Sequence, residues 1–118
     1  MNAIQSTEHY KPRIIKELKN TLTNTSLNKG IKKRGKVRDQ YEHNAKIILI
    51  TTDRHRACDR VLASIPLKGQ VLNLTSAWWF ERTKKIIPNH VIDIPDPNVT
   101  LAKKCDVFPI ESVSYTHL

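Results

Sequence analysis

Apolar positions change period several times along the chain, and each change marks a boundary. Residues 1–9 are polar and read as a loose start. Between Tyr10 and Leu22, Ile14, Ile15, Leu18 and Leu22 recur at helical spacing, and Pro12 suits a first helical turn, where its missing N–H costs little. A short amphipathic helix is expected here, followed by a turn through Asn24, Ser26 and Asn28. From Gly30 to Glu42 the period becomes two. Ile31, Val37 and Tyr41 fall on odd positions, while the even positions Lys32 to Glu42 are all polar, the pattern of a half-buried strand pair bent near Gly35.

After a turn at His43 and Asn44, Ala45–Thr52 is a nearly continuous apolar run, as expected of a buried central strand that ends at Asp53 and Arg54. Val61–Ile65 reads as a further strand closed by Pro66. Val71–Ile87 predicts a helix burying Leu72, Trp79, Phe80, Thr83 and Ile86 on one face, with cations at its C-terminal end and Pro88 as the stop. Val91–Ile94 and Cys105–Ile110 read as strands around a Pro95–Pro97 loop. Strands in adjacent runs, not in alternation with helices, predict an α+β fold with a mainly antiparallel sheet.

The 118 residues suit a single domain with a real core. No apolar run approaches the about 18–20 residues of a membrane span, and the polar start lacks a signal-peptide core. Cys58 and Cys105 are too few for a disulfide framework and lack metal-ligand spacing, so they read as small buried residues in a reduced, cytoplasmic protein. Charge changes the picture more. Twenty Lys and Arg against eleven Asp and Glu give +9, which calls for polyanionic company: nucleic acid, an acidic surface or phosphorylated small molecules.

Six cations fall in the ten residues Lys29–Arg38. In one strand, Lys32, Arg34, Lys36 and Arg38 would point the same way, and Gly35 would let an anion approach the backbone amides. That is a phosphate cradle without Walker A spacing; the same pattern also fits a solvated basic edge strand. Asp53, Arg54, His55, Arg56 and Asp59 cluster after the central strand, where functional groups often sit, although a surface turn with local Asp–Arg pairs reads equally well. His55 is a candidate general base or simply an exposed histidine. Trp78-Trp79-Phe80 suggests base stacking, but consecutive helical residues diverge by about 100°, so packing of these rings into the core is the better account.

Several segments resemble one family. Gly35-Lys36-Val37-Arg38-Asp39-Gln40-Tyr41-Glu42 is similar to the Gly-Lys-Val-Arg-Asp-x-Tyr segment of phosphoribosylaminoimidazole-succinocarboxamide (SAICAR) synthases. Thr52-Asp53-Arg54 through Ala57 and Asp59 resembles that family's Thr-Asp-Arg-x-Ser-Ala-Phe-Asp signature. Ile65-Pro66-Leu67-Lys68-Gly69-Gln70-Val71-Leu72, Ser76-Ala77-Trp78-Trp79-Phe80-Glu81, Pro88-Asn89-His90 and Pro109-Ile110-Glu111 follow in the family order.

The resemblance implies an ATP-dependent ligase of purine biosynthesis, joining L-aspartate to carboxyaminoimidazole ribonucleotide with release of ADP and phosphate, and with Mg²⁺ neutralising the phosphates. It implies nucleotide contacts from Gly35, Lys36 and Arg38, a Val107–Phe108 hinge near the adenine, and Asp53, Arg54 and Asp59 near the substrates. Small-molecule substrates are implied, with no membrane and no nucleic acid as partner.

Two departures stand out. Arg56-Ala57-Cys58-Asp59 replaces Ser-Ala-Phe-Asp, exchanging a hydroxyl for a guanidinium and a ring for a thiol. The chain also leaves the pattern after Val113, before the family's substrate-binding Arg and Gly-Ser and its metal-binding acidic residues. The expected organisation is an N-terminal helix and linker over 1–28, the family domain over 29–113 and a non-native tail over 114–118. This is an inactive, truncated piece on that expectation, with exposed apolar surface prone to aggregation. The alternatives are a small basic nucleic-acid-binding module, resting on the charge, and a paralogue that binds nucleotide without turnover.

Overall fold

A computed structural model describes residues 7–58 and 60–110. A 3₁₀ turn at Thr7–His9 leads into a short helix α1 (Lys11–Glu17). Strands β1 (Ile31–Arg34), β2 (Arg38–His43), β3 (Lys46–Thr51), β4 (Arg54–Ala57) and β5 (Arg60–Ser64) follow, then helix α2 (Lys68–Thr83) and strands β6 (Val91–Asp96) and β7 (Val99–Lys103). Five strands form one sheet in the order β1-β2-β3-β7-β6, while β4 and β5 pair separately. Every pairing is antiparallel, so the fold is α+β. Among the described residues no helix is long and apolar enough to cross a membrane.

The apolar strand β3 takes the central position its sequence calls for, with β2 on one side and β7 on the other. Period two then assigns the faces. Asp39, Tyr41, Ile48, Ile50, Val99 and Leu101 lie on one face, crossed by the segment that precedes β1: Thr25 hydrogen-bonds both Asp39 and Tyr41. Arg38, Gln40, Leu49, Thr51 and Thr100 lie on the other, where α2 packs.

Several elements differ from the sequence expectation, each for a physical reason. Helix α1 stops at Glu17, and Ile14, Ile15 and Leu18 remain exposed because α1 buries none of its residues. Arg54–Ala57, read as a charged loop, is strand β4: it pairs with β5 and so satisfies its backbone despite its charges. Pro95 lies inside β6 and the turn falls at Pro97 and Asn98; the strand after it is Val99–Lys103, whereas residues 104–110 have no regular structure. The alternating burial of Val99, Thr100, Leu101 and Ala102 on β7 decides this.

Helix α2 begins three residues earlier than predicted and approaches the sheet through a different face. Gly69 and Asn73 are its buried residues, and Trp79 is 57% exposed. Leu72 and Trp78 are exposed too, and Ile86 lies beyond the helix end, also exposed. A Cβ on Gly69 would sit 2.4 Å from the Thr51 carbonyl oxygen, so glycine permits the close approach. Asn73 then bonds the sheet: its Oδ1 accepts from Thr100 at 2.7 Å, and its Nδ2 donates to the Pro97 carbonyl at 3.1 Å. These contacts set the rotation of the helix, and they turn the tryptophans outward. Cys58 and Cys105 are exposed as well, the first at the tight end of the β4–β5 pair with φ 47° and the second past the end of β7.

Candidate functional site

The turn between β1 and β2 is built from Gly35, Lys36 and Val37. The Gly35 N–H donates to the Arg38 carbonyl at 2.7 Å, and a Cβ at this position would lie 2.8 Å from that same oxygen. Glycine is therefore required for the turn to close. Its amide is used inside the turn and is not offered to an anion, as the sequence had suggested.

From beneath, residues just after β3 hold this turn. The Val37 carbonyl accepts from both the Thr52 N–H (2.9 Å) and the Thr52 hydroxyl (2.7 Å). Arg54, buried at the start of β4, donates from Nη2 to the Gly35 carbonyl at 3.2 Å, with Nε 3.5 Å from the Lys36 carbonyl. Its Nη1 donates to the Thr23 carbonyl at 2.8 Å, and Nη2 also meets Asp39 Oδ1 at 2.8 Å. Asp39 is fully buried. Burial opposes its ionisation, but hydrogen bonds from Arg54, Thr25 and Lys32 outweigh that cost and hold its pKa at about 2.

Asp53 is likewise internal. Its Oδ2 accepts from the Leu22 N–H and its Oδ1 from the Gly69 N–H, both at 2.8 Å. Leu67, in the N-cap position of α2, has a left-handed backbone (φ 65°) and offers no side-chain cap. The carboxylate of Asp53 supplies the missing acceptor at the helix start, where negative charge also complements the dipole.

Above the turn lies an open cleft of about 660 Å³. Lys36, Arg38 and Lys103 bring three cations to it, and among the described residues no carboxylate belongs to its lining. Val37, Ile47, Leu49 and Val107 make part of the lining apolar, with Gln40 as a polar group among them. Such a surface suits a ligand with an anionic end and a flat apolar body.

Of the residues singled out from sequence, Gly35, Lys36, Arg38 and Val107 come together in this cleft. Phe108 is 85% exposed and lies outside the lining. Asp53 and Arg54 sit below it as supports, His55 is half-buried on β4 opposite Ala63, and Asp59 lies outside the described residues. The four-cation row does not form. Arg34 pairs with Asp39 and Ile31 with Glu42 in the hairpin register, so even positions of β1 share a face with odd positions of β2. Lys32 and Arg34 thus lie on the Asp39 face, away from Arg38. Lys32 reaches Asp39 at 3.2 Å. Glu42 takes Lys104 at 2.7 Å and Lys33 at 2.9 Å, and these two ammonium groups hold its carboxyl at about 2. Sequence reasoning missed Lys103, Gln40 and the roles of Thr52 and Asp39; alternation along β7 would group Lys103 with Val99 and Leu101 on the opposite face, so no period pointed to it.

Among the described residues no group of three or more His, Cys, Asp or Glu side chains could hold a metal ion. None of them is assigned to Mg²⁺.

Comparison with known proteins decides the family. The model of the SAICAR synthetase family matches residues 31–118. The chain belongs to the SAICAR synthetase family. It is 62% identical over 92 residues to a phosphoribosylaminoimidazole-succinocarboxamide synthase of Legionella pneumophila (strain Paris), covering 78% of this chain and 30% of the relative. A chloroplastic enzyme of the same name from Vigna aconitifolia is 57% identical over 102 residues, covering 82% of this chain and 30% of the relative. Among solved structures, the SAICAR synthase of Saccharomyces cerevisiae complexed with SAICAR matches with a TM-score of 0.64 at 30% identity, over 71% of this chain and 37% of that one. A second SAICAR synthase structure matches with a TM-score of 0.67 at 30% identity, over 75% of this chain and 39% of that one. The chain thus spans about 30% of the length of the curated relatives it matches.

Proposed function

We propose that this chain carries the ATP-phosphate site of a SAICAR synthase, the enzyme that joins L-aspartate to carboxyaminoimidazole ribonucleotide at the expense of ATP. The observation that carries this reading is the cleft over the Gly35–Arg38 turn. It gathers Lys36, Arg38 and Lys103 beside an apolar wall. In phosphoryl transfer the protein contributes chiefly position and charge. Lys36 and Arg38 would neutralise the nucleotide's phosphates, while Ile47, Leu49 and Val107 would take the base. Transfer of the terminal phosphoryl group to the ribonucleotide's carboxylate activates it for attack by the aspartate amine. The new C–N bond forms as phosphate leaves. Mg²⁺ belongs to this reading only as the ion that accompanies the nucleotide's phosphates.

The test is a titration of the chain with ATP, followed by the same titration of Lys36→Ala. Saturable binding that weakens roughly tenfold in the variant, the scale of one lost charge-assisted contact, is the expected result. Equal affinity of the two proteins for ATP would reject Lys36 as a phosphate contact. Binding of oligonucleotides that outcompetes ATP and falls steeply with salt would favour the nucleic-acid module instead.

A further inference from the structure

The Gly35–Arg38 turn carries Lys36 and Arg38, two of the three cations of the cleft. Its carbonyls are taken from below. Arg54 binds the Gly35 carbonyl at 3.2 Å and lies 3.5 Å from that of Lys36, and Thr52 binds that of Val37 twice. In a planar trans peptide a captured carbonyl points the next N–H the opposite way. The Arg54 bonds therefore turn the N–H groups of Lys36 and Val37 away from the guanidinium. Arg54 is itself aimed by the fully buried Asp39 at 2.8 Å and by the Thr23 carbonyl. Asp39 is further fixed by Thr25 at 2.7 Å and Lys32 at 3.2 Å. The signature arginine thus does not line the cleft. It fixes the backbone of the residues that do.

We propose that Arg54, held by Asp39, is a positioning residue for the phosphate end of the nucleotide, setting the shape of the Gly35–Arg38 turn without touching the ligand. This rests on the phosphate-site reading above. Its consequence is selective. Loosening Arg54 disturbs the turn and hence the phosphate contacts, but leaves the apolar wall of Ile47, Leu49 and Val107, which belongs to other elements. A lysine at position 54 keeps the charge but cannot span the carbonyls and Asp39 together, because the fork of donors is lost.

Binding of ATP and of adenosine by the full chain, measured beside thermal melting, tests this. For Arg54→Lys the expected result is roughly tenfold weaker ATP binding, the scale of a lost charge-assisted hydrogen bond, with adenosine affinity unchanged. Asp39→Asn, which keeps an acceptor for Arg54 but removes the charge, is expected to give a smaller loss of the same kind. Parallel loss of both ligands, or ATP binding equal to that of the unaltered chain in both variants, overturns the proposal. So does loss of cooperative melting in both, since the pair would then serve the whole fold and not the turn. If the unaltered chain binds adenosine but gains nothing from the phosphates, the phosphate-site reading itself falls. If it gains from the phosphates through Lys36 while Arg54→Lys changes nothing, only the positioning role falls.

Discussion

One region of this small fold buries its polar groups, and another leaves its large apolar groups exposed. Beneath the Gly35–Arg38 turn the buried groups are Asp39, Thr52, Asp53 and Arg54, each with hydrogen-bond partners. Along the outer side of α2 and through residues 104–110, Trp78, Trp79, Val107, Phe108 and Ile110 are exposed. Hydrophobicity therefore does not rank these positions by burial. One sheet and one packed helix leave a thin apolar core, whose buried hydrophobic members among the described residues are Tyr41, Ile50 and Ala102. Directional bonds do the remaining ordering. They suit a site, because a hydrogen-bonded backbone cannot slide as an apolar contact can.

The contrast is broken most forcefully at Asp53. Asp53→Ala leaves the Leu22 and Gly69 N–H groups without their acceptor, and a loss of about 3 kcal/mol in urea unfolding is expected. A loss below about 0.5 kcal/mol, the size of an ordinary surface change, would show that the polar region is not what holds the fold.

Acid should act next. Asp39 has a folded pKa of about 2, below its ordinary value of 3.8, so the stability it adds is present above pH 4 and disappears as pH falls toward 2. The groups facing it are Arg54, Lys32 and Thr25, with Tyr41 behind Thr25. The amount is about 2 kcal/mol by linkage, and Asp39→Asn should flatten the unfolding free energy between pH 4 and 2. Glu42 titrates in the same window through its surface pairs with Lys104 and Lys33, but 1 M salt should suppress that share by screening. A slope that survives Asp39→Asn at high salt would contradict the assignment. The smallest effect belongs to the other region. Trp79→Gln replaces a large ring that is more than half exposed and should change stability by no more than about 0.5 kcal/mol. A loss several times larger would mean that the outer face of α2 is packed after all.

Much of the fold was legible because it depends on local period. The Gly30–Glu42 alternation marked the hairpin, the run to Thr52 marked the central strand, and Pro88 bounded the helix. What failed depends on contacts between distant residues. Alternation places Lys32 and Arg38 on one face only if the strand runs straight. A hairpin in which Arg34 meets Asp39 exchanges the faces, and its register is set by the turn. The tryptophans were expected inside because they are large, but Gly69 and Asn73 chose the face of α2 through a carbonyl and an amide. For the site, the sequence singled out Gly35, Lys36 and Arg38 together, and the structure gathers them in one cleft. Asp53 and Arg54 were legible only as important. Their work as supports depends on Leu22, Thr23 and Gly69, which no spacing rule ties to them.

The carboxylate of Asp53 also makes the start of α2 depend on contacts from far along the chain. Helix α2 starts from a left-handed Leu67 and takes its terminal acceptor from a residue sixteen positions earlier. A left-handed non-glycine costs about 1 kcal/mol, and a helix of this length is marginal alone in water. A synthetic peptide of residues 66–84 is therefore expected to show little helical circular dichroism. The β2–β3 hairpin, joined by its short turn at Asn44, can pair without help from afar, and only its completion delivers Asp53 to the start of α2 and to Leu22 together. The helix start and the N-terminal segment thus depend on the same side chain, so Asp53→Ala is expected to raise amide exchange at both Leu22 and Gly69.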